Sequence, residues 1–127
     1  MKKIILLLLL TISLFAELKH EFATQELINS KIKIIDIRTP PEWKETGLLK
    51  GSIPIVFFDE RGNYNIKAFL AELNRHIKLN EQFALICHTG SRTVPVSDFL
   101  SKQGYNVINL RGGILYAIGK KLPIEAY

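Results

Sequence analysis

Cys87 and Arg92 are the residues of this chain best placed to do chemistry together. Cys87 is the only cysteine, and four residues, His88-Thr89-Gly90-Ser91, separate it from Arg92. An apolar run, Phe83 to Ile86, leads into Cys87, and a more regular apolar pattern resumes at Val94. That order predicts a buried strand, a tight polar loop and a helix. Pro95 is tolerated only near a helix start, so the first turn must follow closely on the loop. Backbone N–H groups at such a start have no partner within the helix and can face an anion. Together with the helix dipole and Arg92 they favour a thiolate at Cys87, which is the nucleophilic form of cysteine. The pattern implies a thiolate in a small anion cradle. Gly90 suits a tight curve with positive φ, and the hydroxyls of Ser91 and Thr93 are further donors. The competing reading is that Cys87 is a small core residue at a strand end.

Residues 1–16 bear on that choice. Lys2 and Lys3 precede an unbroken apolar run, Ile4 to Leu10, and a slightly more polar stretch to Ala16. This resembles a bacterial secretory signal peptide, with cleavage expected after Ala16 although Leu14 is large for its place. The run is short for a span of about 20 residues, so an uncleaved anchor is the lesser alternative. Residues 17–127 then form one exported domain, expected in the periplasm without stable membrane insertion. An oxidising compartment makes an idle free thiol a liability unless it is buried or used.

The whole chain has 127 residues, enough for a single domain with a real core. It carries 17 basic and 12 acidic residues, net +5. Residues 1–16 hold two lysines and no acid, which leaves net +3 for the domain. Its basic residues are dispersed, so nucleic-acid binding is not expected, whereas steering of small anions is. No metal ligand set stands out in the sequence, and no cofactor is expected.

Alternating elements must position the loop. Thr24 is placed to cap a short helix through Ile28, after a weak first strand within Glu17–Phe22. Ile32 to Ile37 is β-branched and nearly continuous, which predicts a buried parallel strand. Pro40 and Pro41 are expected to stop it, with a short helical turn from Glu42 ending at Gly47. Asp36 and Arg38 sit two apart at the strand end and predict a salt bridge that fixes the loop. Gly51–Pro54 predicts a turn entering a strand at Ile55–Phe58. Ile66, Phe69, Leu70, Leu73 and Ile77 keep helical spacing. Val94 to Lys102 predicts a helix with Val94, Phe99 and Leu100 toward the core and Gly104 closing it. A strand over Tyr105–Leu110, a turn at Arg111-Gly112-Gly113 and a short helix at Ile114–Ile118 follow, then a surface tail. The sum is an α/β domain of three layers. A mostly parallel sheet of about five strands is covered by helices on both faces, with its strand-to-helix loops along one edge.

Four motifs in order resemble the single-domain rhodaneses, a sulfurtransferase family. Cys87-His88-Thr89-Gly90-Ser91-Arg92-Thr93 is similar to the family's active loop, Cys-x-x-Gly-x-Arg-Ser/Thr. Asp36-Ile37-Arg38 with Pro41-Glu42-Trp43, Gly51-Ser52-Ile53-Pro54, and Asn109-Leu110-Arg111-Gly112-Gly113-Ile114 resemble its other signatures. Ser52 stands for the usual histidine, Ile55 for a small residue, and Ala117 about where many members carry tryptophan. The resemblance implies that Cys87 takes a sulfane sulfur from a small anionic donor such as thiosulfate. The resulting persulfide passes it to a thiol, cyanide or a protein cysteine. His88, Thr89, Gly90, Ser91 and Thr93 would form the cradle around that sulfur. Arg92 would bind the donor's anionic group or brace the loop, and Asp36 and Arg38 would support the site. His88 is open between assisting an anionic donor and setting specificity from an exposed position. The alternative function is a sulfur-carrying, partner-binding module with little turnover. Thiolate-based phosphatases, whose loops carry one residue more between cysteine and arginine, and arsenate reductases are the remaining rivals. Oligomeric state is left open.

Overall fold

A computed structural model describes residues 16–127. Apart from Ala16, the leader expected at residues 1–16 lies outside the described residues. The elements in chain order are β1 (Leu18–Phe22), α1 (Gln25–Asn29), β2 (Lys33–Asp36), α2 (Pro40–Thr46), β3 (Leu48–Leu49) and β4 (Ile53–Pro54). They continue as α3 (Ile66–His76), β5 (Phe83–Ile86), α4 (Thr93–Lys102), β6 (Val107–Arg111), α5 (Gly113–Gly119) and β7 (Ile124–Glu125).

Five strands form one sheet in the order β1-β6-β5-β2-β4, and every pairing within it is parallel. Its strands are short, and the central one, β5, is apolar at every position because both faces are covered, whereas the edge strand β1 is mostly polar and partly exposed. On one face Ile35, Phe83, Leu85 and Val107 pack with Phe69, Leu73 and Ile77 of the α3 side and Val96 and Leu100 of α4. On the other, Ile34, Ala84, Ile86, Ile108 and Leu110 pack with Ile114 and Ala117 of α5, with Leu27 and Ile28 of α1 at the margin. The three-layer α/β architecture expected from the sequence is thus the observed one. The centre of the sheet is β5, whose four residues are all buried. Burial anchors such a strand by about 1.5–3 kcal/mol for each large apolar side chain. Cys87 follows it directly.

Several boundaries differ from the sequence reading. Pro40 and Pro41 do not merely stop β2; they open α2 at its first two positions, where a missing N–H costs nothing. The strand expected at Ile55–Phe58 is β4, two residues earlier. The backbone stays tied to β2 beyond it, through Ile55 N to the Asp36 carbonyl at 2.9 Å and Phe57 N to the Ile37 carbonyl at 3.2 Å. Pro54 fits there because β4 is an edge strand, where a missing N–H leaves no ladder bond unmade. In α4, Val94 is half exposed and Val96 takes the core position instead. Within the tail expected on the surface, a short strand forms that the sequence reading lacks: β7 pairs antiparallel with β3, Leu48 opposite Glu125 and Leu49 opposite Ile124. Thr24 caps α1 as expected, its hydroxyl accepting from Leu27 N at 3.1 Å.

Candidate functional site

The site begins with the place of β5 between β2 and β6. Parallel strands carry their following loops on one edge, so the loop after Cys87 lies between the one after Asp36 and the one after Arg111. Both neighbours hold it. Ile37 N donates to the Ile86 carbonyl at 3.0 Å. On the opposite side, Ile114 N and Leu115 N, in the first turn of α5, donate to the carbonyls of Cys87 and His88 at 2.8 and 3.2 Å. These are N–H groups that a helix start cannot satisfy internally. The approach requires glycine: a Cβ on Gly113 would overlap the carbonyl oxygens of Cys87 and His88. Gly90, at φ +96°, would with a Cβ come within 2.8 Å of Gly112 N.

The carbonyls of Cys87 and His88 are therefore occupied, and the loop's own donors are not. Among the described residues, no backbone N–H from His88 to Thr93 forms a hydrogen bond with another protein group. Such a run of free donors along one tight loop is an anion cradle in waiting. Helix α4 starts at Thr93, with Arg92 as N-cap, and Pro95 lies in its first turn.

Cys87 itself is completely buried and belongs to the core cluster that includes Ile37, Ile55 and Phe57. Its nearest polar partner is Thr93: the thiol donates to Thr93 Oγ1 at 3.6 Å, and the Thr93 hydroxyl donates on to the Gly90 carbonyl at 3.3 Å. Thr93 is buried as well. His88 is half-buried, while Thr89 and Ser91 are exposed, with their hydroxyls 3.5 Å apart.

Arg92 does not point a free guanidinium into the loop. Its two terminal nitrogens donate to both carboxylate oxygens of Glu42, at 2.7 and 2.6 Å. Arg92 thereby holds the Cys87 loop to α2. The fork pulls the Glu42 carboxyl down to about 2, with help from a hydrogen bond donated by Thr39 at 3.0 Å, and the same contact raises Arg92.

Helix α2 is held in turn by Asp36 and Arg38, both fully buried. Asp36 accepts from Arg38 Nε and Nη2, from Arg38 N and from Trp43 Nε1, at 2.8 to 3.1 Å. Arg38 also donates to Thr46 Oγ1 and the Gly47 carbonyl at the far end of α2. The expected strand-end ion pair exists, and it holds that helix at its middle, through Trp43, and at its C-terminal end, through Thr46 and Gly47. Glu42 and Trp43 were given no role by the sequence. In the sequence Glu42 is an acid in a first helical turn and part of the Pro41-Glu42-Trp43 signature, and nothing local ties it to an arginine 50 residues on.

Two clefts flank this region. One of about 560 Å³ is lined by Trp43, Ile55, Phe57, Tyr64 and Phe69 among others, and a smaller one of about 200 Å³ by Phe57, Phe58, Tyr64, Pro95 and Val96. Cys87 lines neither.

Comparison with known proteins converges on one family. The model for the rhodanese-like domain matches residues 16–116. An uncharacterized protein of Rickettsia prowazekii is 28% identical over 91 residues, covering 68% of this chain and 72% of that one. A Bacillus subtilis protein named "Putative sulfurtransferase YtwF" is 25% identical over 108 residues, covering 85% and 90%. Among solved structures, a rhodanese-related protein from Thermoplasma volcanium superposes with a TM-score of 0.62 at 26% identity, over 80% of this chain and 90% of that one.

Proposed function

This chain belongs to the rhodanese-like domain family, and we propose that it is a sulfurtransferase that carries a sulfane sulfur as a persulfide on Cys87. The observation that supports this most is the division of labour in the loop. Helix α5 takes the carbonyls of Cys87 and His88, and the N–H groups of 88–93 have no partner among the described residues. A negatively charged outer sulfur is what such a ring would stabilise.

In the proposed cycle the Cys87 thiolate attacks the outer sulfur of a donor of the thiosulfate class. A new S–S bond forms to Cys87, the donor's own S–S bond breaks, and its electron pair leaves with sulfite. The product is Cys87–S–S⁻, held by the loop amides. An acceptor, cyanide or a thiolate, then attacks the outer sulfur and restores the Cys87 thiolate, giving thiocyanate or a new persulfide. Two such half-reactions predict ping-pong kinetics. Gly90 and Gly113 keep the loop curved and backed, Thr93 supplies a hydroxyl beside Sγ, and Arg92 keeps the loop in register with α2 through Glu42. Because Cys87 is buried, the donor sulfur reaches it only when the covering loop parts, so that opening belongs to the cycle. The same burial favours a second reading, a sulfur carrier that shelters its persulfide until a partner protein's cysteine arrives. A phosphatase fits less well, since the Arg92 guanidinium is already engaged by a carboxylate. The leader at residues 1–16 supports placing the domain in the periplasm.

The test is intact-mass analysis after exposure to thiosulfate, mercaptopyruvate and polysulfide. The wild-type protein is expected to gain the mass of one sulfur atom and lose it to cyanide, and Cys87→Ala to do neither. No gain with any of the three donors would sink the proposal. Turnover of an aryl phosphate that disappears in Cys87→Ala would replace it with the phosphatase.

A further inference from the structure

The two clefts beside the Cys87 loop share the rings of Phe57 and Tyr64. Phe57 is buried in the packing cluster that contains Cys87, and so is Val96, which lines the smaller cleft. Pro95, another wall of that cleft, closely follows Thr93, whose hydroxyl is the nearest polar partner of the Cys87 sulfur. The larger cleft reaches the loop through Trp43, next to the Glu42 that holds Arg92. Tyr64 is stacked on Phe57 at 5.5 Å between ring centres and stands between the clefts, 58% exposed.

The clefts differ in chemistry. The smaller is apolar, closed by Phe58, Ile66 and Phe99, and Val94 is half exposed at its margin. Its volume of about 200 Å³ suits one side chain, since small-molecule sites run from about 300 to 1,000 Å³. The charged residues lining the larger are both acids, Asp59 and Glu72, and no lysine or arginine lines either cleft. That is notable in a chain with 17 basic and 12 acidic residues. Asp59 Oδ1 accepts from Arg61 N and Asn63 N at 2.9 and 2.8 Å, which fixes the turn and leaves Oδ2 without a partner among the described residues. Glu72 meets Arg75 and His76 at 3.4 and 3.3 Å, long exposed contacts that offset its charge only in part. Carboxylates beside aromatic rings favour a cation. An extended polypeptide segment turns alternate side chains the same way and can fill both clefts at once.

We propose that the two clefts form the docking groove for a sulfur-accepting protein. It enters as an extended segment with an apolar side chain in the smaller cleft, a lysine or arginine beside Asp59 and Glu72 in the larger, and its cysteine at the Cys87 loop. The acceptor thiolate attacks the outer sulfur of the Cys87 persulfide. A new S–S bond forms to the acceptor, the bond to Cys87 breaks, and its electron pair returns to the Cys87 thiolate. This rests on the sulfurtransferase reading and adds to it the kind of partner and the surface that selects it.

Sulfur transfer from the loaded protein to synthetic peptides tests it, after the loaded wild type has been shown to discharge to cyanide. Each peptide carries one cysteine, a leucine two residues from it and a lysine four residues from it, in sets that run in either chain direction. Matched peptides replace lysine by glutamate or leucine by serine. At limiting peptide, transfer should be about tenfold faster to the lysine peptide than to the glutamate one. It should be about tenfold faster with leucine than with serine. The lysine-to-glutamate ratio on one protein cancels any change at Cys87 itself. It should fall in Asp59→Asn, which keeps an oxygen for the turn, and invert in Glu72→Lys, at an exposed helix position. Equal rates for the two peptides on wild type overturn the inference. So does a lysine preference that survives both substitutions together. A wild-type dimer that Glu72→Lys makes monomeric in sedimentation would give the groove to a second copy and likewise overturn it. If the wild type discharges to cyanide and to no peptide, the groove falls and the sulfurtransferase reading stands. If Cys87 loads from no donor, both fall together.

Discussion

Of the arginine–carboxylate pairs among the described residues, two lie within one helix of each other, Arg38–Asp36 and Arg92–Glu42, and they are built for different work. Arg38 and Asp36 are two residues apart and both fully buried. Arg92 and Glu42 are 50 residues apart and about a quarter exposed. In the first pair Asp36 is also bonded to Trp43 Nε1, and Arg38 to Thr46 and Gly47, so every charged edge has a partner. Removing one member strands a charge in the core. In the second pair the fork is better in distance, yet water can replace either partner. The buried pair fixes where α2 stands, and the wetter pair couples α2 to the Cys87 loop. A site that must admit a substrate is better closed by a contact that can open without unfolding the domain.

The largest expected effect breaks the first pair. Asp36→Ala leaves Arg38 Nε and the Trp43 N–H without acceptors and the buried Arg38 charge without its carboxylate, a loss of about 3–5 kcal/mol. Urea denaturation should show it as a lower midpoint with little change in slope. A loss no larger than that of Glu42→Gln would mean that the two pairs are equivalent after all.

Glu42→Gln should do less to stability and more to the loop. It keeps a hydrogen-bond acceptor for Arg92 and removes the charge, a cost of about 1–2 kcal/mol for a partly exposed pair. Amide hydrogen exchange at Ile114 and Leu115, whose N–H groups are bonded to the loop carbonyls, should quicken while that of residues 34–36 in β2 is unchanged. Uniform acceleration across both segments would deny that this pair governs the loop locally.

The difference between the pairs is also the difference between what the sequence shows and what it hides. Asp36-Ile37-Arg38 is a local pattern, and its ion pair follows from strand alternation alone. The partner of Arg92 depends on β2 and β5 lying side by side, a long-range fact that no short window contains. Helix α4 teaches the same at smaller scale. Its inner face is Thr93, Val96, Ser97 and Leu100, a clear helical spacing obscured by two hydroxyl residues. They can be buried because Ser97 donates to the Val94 carbonyl and Thr93 to the Gly90 carbonyl. A search for apolar residues therefore picks the exposed Val94. The cap at Thr24, the core strand β5 and helix α3 were legible because their signals are carried by their own residues. The β3–β7 pairing was not, since two-residue strands have no period to detect.

The smallest effect is in acid. Glu42 is held at about 2, below the usual carboxylate value, chiefly by the Arg92 fork. A depressed carboxylate stabilises the fold fully above its unfolded value, about 4.3, and ceases to do so as pH falls through its folded value. The advantage of wild type over Glu42→Gln should hence be constant from about pH 7 to 5 and shrink below about pH 4.5. By about pH 2 most of it should be gone. Other carboxylates protonate over the same range, but they are common to both proteins and cancel in the difference. The Arg38 pair gives no such signal in this comparison, because it is intact in both. A difference in unfolding free energy that stays flat from pH 6 to pH 2.5 would show that the Arg92 contact is held by hydrogen-bond geometry rather than charge. The Cys87 loop would then be tied to α2 as rigidly in acid as at neutral pH.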